Sequence, residues 1–195
     1  YIVHWLARLG IGVDVLTDED LHAEGMHLLS DYRAVLTGTH PEYVTAEILD
    51  ALEGYLASRG NLMYLGGNGF YWVTTVPPGE THTIEVRRGH AGTRAWESAP
   101  GEEHHMFTGE RGGLWRHRGR PPNQLVGVGF GAQGWSEPSP GYRRTEAGHD
   151  PRASWIFEGI DDDVIGDFGL AMNGAAGDEL DRYDPARGSP AHAIV

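Results

Sequence analysis

The sequence predicts an α/β protein: a parallel sheet flanked by helices, carrying a loop-rich and β-rich extension. Three observations carry that expectation. Over the first 75 residues, strand-like and helix-like runs alternate with short links, the pattern of crossover connections between parallel strands. The two most distinctive loops directly follow strand-like runs. From about residue 76, past Pro77-Pro78-Gly79, helical periodicity gives way to short apolar runs punctuated by Gly and Pro. The expected organisation is therefore an α/β core over 1–75 and an extension of the same domain over 76–195.

Each element has a local reason. Val3–Leu9 places Val3, Leu6 and Leu9 on one side, with Gly10 as a stop, and predicts a short helix. Val13–Thr17 is a short β-rich run. Asp18–Gly25 opens with acidic residues and closes on Gly, which suits one or two helical turns. Tyr32–Gly38 is the next strand. Thr45–Arg59 is the clearest helix: Ile48, Leu49, Leu52, Tyr55 and Leu56 form a single stripe, Thr45 is a cap and Gly60 a terminator. Asn61–Leu65 reads as a buried strand that runs into Gly66-Gly67-Asn68-Gly69. In the extension, Thr83–Arg88, Leu125–Phe130 and Ala153–Ile160 read as strands.

Composition narrows the function. In 195 residues there are 15 Lys+Arg against 28 Asp+Glu, a formal charge of −13. An acidic chain without a basic block is unsuited to nucleic acid or an anionic membrane. Cys is absent, which removes disulfides, thiolate metal sites and thiol nucleophiles. No apolar run approaches the roughly 18 residues of a membrane span, and a cytoplasmic protein is expected. The start at Tyr1 and the end at Val195 read like the middle of a longer protein. The 29 glycines exceed the usual ~7% and imply many tight loops.

Several clusters offer chemistry. His40-Pro41-Glu42-Tyr43 sets an imidazole, a carboxylate and a phenol at a strand end, where α/β folds place their sites; the alternative is a solvated helix-entry turn. Gly66-Gly67-Asn68-Gly69 has the form of a sharp turn that holds a nucleophile. Asn68 occupies the tip; Asn is no nucleophile, but its amide can orient groups or stabilise an oxyanion. Residues 102–110 hold Glu102, Glu103, His104, His105 and Glu110, donors suited to Fe, Mn or Zn, or else a polar solvated loop. Asp161-Asp162-Asp163 reads as a solvated turn, and Glu179 and Asp181 as partners of Arg182.

The runs Val35–Tyr43 and Leu62–Trp72 closely resemble the large (β) subunit of the N,N-dimethylformamidase family. Further matches follow in order at Ile84–Arg88, Thr108–Glu110, Gly112–Arg116, Gly166–Gly169 and Gly174–Gly177. The resemblance implies the class I glutamine amidotransferase fold and hydrolysis of a small N-substituted formamide to an amine and formate. It also implies a mononuclear non-haem ferric iron (Fe3+) held by two tyrosinates and one carboxylate. Its ligands are carried over as Tyr43, Glu110 (Glu103 in reserve) and Tyr1 (Tyr32 as fallback). His105, His40 and Asn68 are then placed to orient water or substrate, with Glu103 as a further catalytic carboxylate. Tyr71, Trp72, Phe107 and Trp115 are candidate walls of a small apolar pocket, or else core. A small (alpha) subunit and further large subunits are the expected partners. The competing expectation is a non-catalytic amidotransferase-like binding or scaffold domain.

Overall fold

A computed structural model describes residues 1–80, 82–92, 97–134, 139–169, 174–177 and 179–191. In chain order the elements are α1 (Ile2–Arg8), α2 (Asp18–Glu24), α3 (Met26–Leu29), β1 (Ala34–Leu36), β2 (Tyr43–Val44), α4 (Ala46–Ala57), β3 (Asn61–Met63), β4 (Trp72–Thr75) and β5 (Glu85–Val86). There follow α5 (Pro122–Val126), β6 (Gly129–Gln133), β7 (Tyr142–Arg143), β8 (Val164–Ile165) and β9 (Glu179–Arg182), with short 3-10 turns between them. No helix among the described residues is long and apolar enough to cross a membrane.

The protein is α/β, but its strands do not form one parallel sheet. β1 pairs with β3 in parallel, and β2 pairs with β4 in parallel. β5 then adds to β4 antiparallel, so that sheet is mixed. The extension adds two antiparallel pairs, β6 with β9 and β7 with β8. The reason for the division lies in two loops. One chain passes from β1 to β2 and the other from β3 to β4, side by side. Thr37 N still donates to Met63 O, and Phe70 N donates to Pro41 O. Between those bonds the ladder is broken. The first chain places six residues between Leu36 and Tyr43, and the second places eight between Met63 and Trp72. Pro41 lacks a donor N–H, and the glycine turn absorbs the surplus.

Helix α4 forms where the stripe predicts. Its N-cap Thr45 accepts from Ile48 N at 3.3 Å and also meets His22 Nδ1 at 2.9 Å. Ile48, Leu49, Leu52 and Tyr55 bury against Leu29, Val44, Phe70, Val73 and Trp115. A second cluster joins Tyr71, Trp72, Leu114 and Phe130. Tyr71, Trp72 and Trp115 are thus core residues, and Trp115 donates its indole N–H to Val44 O; Phe107 is exposed.

Two expected strands are absent, and a third, Leu125–Phe130, is displaced so that only Gly129 and Phe130 belong to a strand, β6. Val13–Thr17 joins no ladder, and Val13, Val15 and Leu16 are exposed. Over 125–130, Pro122 opens α5 at a position where its missing N–H costs nothing, and Gly127 ends it at φ +83° before β6 begins. Over 153–160, Asp150 caps a 3-10 turn spanning Pro151–Phe157. Local capping and proline geometry outweigh apolar content at both places.

Because Thr45 is buried and serves both the helix and His22, Thr45→Ala is expected to cost about 1–2 kcal/mol. A lowered urea midpoint with unchanged slope checks this.

Candidate functional site

The broken ladder brings four polar side chains together. His40 and Glu42 come from the β1–β2 link, Asn68 from the glycine turn, and Glu179 from β9. His40 Nδ1 lies 3.2 Å from Glu179 Oε2. His40, Glu42 and Glu179 each offer a ligand atom, and these lie within 4.8 Å of one another. Asn68 Nδ2 donates to Glu179 Oε1 at 3.4 Å. Asn68 is only 5% exposed, yet its Oδ1 has no partner among the described residues. Burial raises the Glu179 carboxyl above its ordinary pKa, and the neighbouring Glu42 raises it further, against the pull of His40.

Backbone geometry fixes this cluster. A Cβ on Gly66 would lie 2.0 Å from Thr39 O, and one on Gly67 would lie 2.9 Å from Glu179 O. Only glycine permits the two ladder chains and β9 to approach so closely. Asn68 itself has φ +53°, a left-handed conformation that Asn tolerates better than most side chains. Asp181 completes the turn: its Oδ1 accepts from Asn68 N at 2.8 Å, and its Oδ2 from the Tyr64 hydroxyl at 2.7 Å.

The expected ligands Tyr43, Glu110 and Tyr1 each have surroundings of their own. The Tyr43 hydroxyl accepts from Arg88 Nη2 at 2.9 Å, and that guanidinium lies over Trp72. Tyr43 follows Glu42 directly, and successive side chains of extended backbone point to opposite sides. Tyr1 is fully exposed ahead of α1, and Tyr32 donates to Asp14 at 3.0 Å. Glu103 lies half-buried near Gly89; its carboxyl is held below its ordinary pKa, chiefly by a hydrogen bond from its own backbone N–H.

Glu110 and His105 do meet, but in a second group. Glu110 forms an ion pair with Arg118 and accepts from the Thr75 hydroxyl at 3.3 Å. His105 is 1% exposed; its Nδ1 contacts the same hydroxyl. With that hydroxyl donating to Glu110, the imidazole proton belongs on Nδ1. Nε2 is buried with no partner among the described residues.

Sequence reasoning missed Glu179 as a member of the site, and with it Asp181 and Tyr64. The expected pairing of Glu179 and Asp181 with Arg182 does not form; Arg182 reaches Asp184 at 3.2 Å. On β9 the two carboxylates are half-buried, while Leu180 and Arg182 are exposed. No signal in the sequence pointed to this, because an alternating strand would be expected to bury Leu180 and expose the two acids.

Burial lowers the His105 pKa below its ordinary value, outweighing the opposing pull of Glu85 and Glu110. A base with a depressed folded pKa supports the fold above its unfolded value near 6.5, and that support is lost as pH falls. The wild-type melting temperature should therefore drop more between pH 7.5 and 5.5 than that of His105→Gln. Parallel pH curves for the two proteins would contradict it.

The model of the N,N-dimethylformamidase beta subunit-like, C-terminal family matches residues 1–195. The chain is 43% identical over 196 aligned positions to the N,N-dimethylformamidase beta subunit of Paracoccus aminophilus, and equally to that of an Alcaligenes species. Both alignments cover all of this chain and 26% of the relative's length. The chain belongs to the N,N-dimethylformamidase beta subunit-like family, whose C-terminal region it matches.

Proposed function

We propose that this chain forms part of an amidohydrolase that cleaves a small N-substituted formamide such as N,N-dimethylformamide, and that the His40–Glu42–Asn68–Glu179 cluster carries the chemistry. The single observation behind this is the convergence of an imidazole and two carboxylates within 4.8 Å, beside a buried and unpartnered amide oxygen. Two half-buried carboxylates held together against their repulsion suit proton transfer or a cation far better than they suit stability.

The donor set fits a hard metal ion such as the ferric iron that the resemblance implies. Glu42, rather than Glu110, is then the carboxylate donor, because Glu110 is neutralised by Arg118. When bound, such an ion supplies Lewis acidity.

This chain's own residues do the proton work. Glu179, with its raised proton affinity, accepts a proton from the attacking water and returns it to the leaving amine nitrogen as the C–N bond breaks. The products are formate and the amine. Asn68 Nδ2 orients Glu179 through Oε1, and His40 holds Oε2. The amidotransferase-like fold remains part of this proposal, as does assembly with a small subunit and further large ones; the relatives' designation as beta subunits supports the latter.

Removing the proton carrier tests the reading. In the full-length protein, Glu179→Gln and Glu42→Gln should each lower formate release from N,N-dimethylformamide by roughly 10²–10⁴-fold, with the fold retained by circular dichroism. Wild-type turnover in both variants would favour the non-catalytic reading instead.

A further inference from the structure

We propose that Tyr64 and Asp181 are positioning residues, a two-residue clamp that fixes the Asn68 amide against Glu179; this rests on the function proposed above. Three hydrogen bonds make the clamp. Asn68 N donates to Asp181 Oδ1 at 2.8 Å. Gly69 N donates to the Tyr64 hydroxyl oxygen at 2.7 Å. The Tyr64 hydroxyl donates to Asp181 Oδ2 at 2.7 Å. Two successive backbone amides, in the gap where the ladder is broken, are thus satisfied by side chains. Buried amides must find partners somewhere, and here one partner is five residues away and the other 113.

The arrangement does more than satisfy amides. Asn68 is held at φ +53°, a conformation that persists only where its surroundings over-determine it. From that backbone its side chain reaches Glu179, where Nδ2 donates to Oε1 at 3.4 Å. Asp181 and Glu179 lie two residues apart on the same face of β9. The bond from Asp181 to the turn therefore sets the register at which Glu179 arrives beside Asn68 and His40. Tyr64 directly follows β3 and packs its ring on Phe70 at 5.7 Å. The clamp so ties the turn to its own strand, to the core and to β9. Burial, and then Asp181, push the Tyr64 pKa well up, so the hydroxyl stays protonated and stays a donor.

The two members fail in different ways. Tyr64→Phe keeps the ring on Phe70 and removes only the hydroxyl. Asp181→Asn keeps an oxygen for Asn68 N but turns a donor toward the Tyr64 hydroxyl. In the full-length protein, each variant should lower kcat on N,N-dimethylformamide at least tenfold while KM stays within twofold. Because both act through one clamp, the double variant should be no worse than the poorer single. A crystal structure of Tyr64→Phe should show Asn68 Nδ2 withdrawn from Glu179. The proposal is overturned if kcat per folded molecule is unchanged while the melting temperature falls, if the two losses multiply, or if Asn68 keeps its place in the variant crystal. Should the wild-type protein prove inert toward amides, the proposed function falls, and the position of Asn68 in that crystal still decides the clamp.

Discussion

The close approach of two parallel chains at Gly66 and Thr39 governs much of this structure. A methyl group at Gly66 would sit 2.0 Å from Thr39 O, so the chains meet where neither can continue a ladder. Hydrogen bonds close on both sides of the gap, from Thr37 to Met63 and from Phe70 to Pro41. The gap itself holds the polar groups. A continuous ladder would have directed alternate side chains up and down; the interruption instead gathers His40, Glu42 and Asn68 at one level. Glu179 is admitted because Gly67 lets β9 reach the same point.

Electrostatics explains why this place differs from the rest of an acidic surface. Two carboxylates under 5 Å apart repel by on the order of 3 kcal/mol at an effective dielectric near 20. His40, when protonated, offsets part of that. The remaining cost is borne by the packing around α4 and β4, where Val44, Ile48, Leu52 and Val73 are nearly inaccessible. A strained and partly desolvated arrangement of this kind persists only on a rigid support.

The elements visible in the sequence were those with local causes. The stripe and cap of α4, the acidic start of α2 and the apolar runs at β1 and β3 each follow from residues a few positions apart. β4 was hidden because Trp72 read as core or as a pocket wall, and only the burial of every residue from Trp72 to Thr75 marks a central strand. Val13–Thr17 has strand composition but no partner strand among the described residues, and composition alone cannot supply one. The site divided the same way. His40 and Asn68 stood out through local motifs. Glu179 meets Asn68 across 111 residues, and Asp181 meets Tyr64 across 117; no local pattern encodes such pairings. Glu110 drew attention through its neighbours His104, His105 and Glu103, yet its charge is answered by Arg118.

The same contrast sets Glu179 apart from the arginine-paired carboxylates among the described residues. Glu85 is answered by Arg87, Asp50 and Glu53 by Arg120, Asp150 by Arg152, and Asp184 by Arg182 and Arg187. Guanidinium is permanently charged and planar, so these partners have no proton to exchange with the carboxylate. Glu179 is paired with histidine instead, at 18% side-chain exposure. The other histidine–carboxylate contacts among the described residues, at Glu47, Glu80 and Asp163, place the carboxylate in open water. Glu179 thus combines an imidazole partner, a like charge nearby and little solvent. Each of these keeps its proton exchangeable, and an arginine in place of His40 would remove that property while improving the ion pair. A site optimised for stability would have made that exchange; one that must move a proton to and from nitrogen would not.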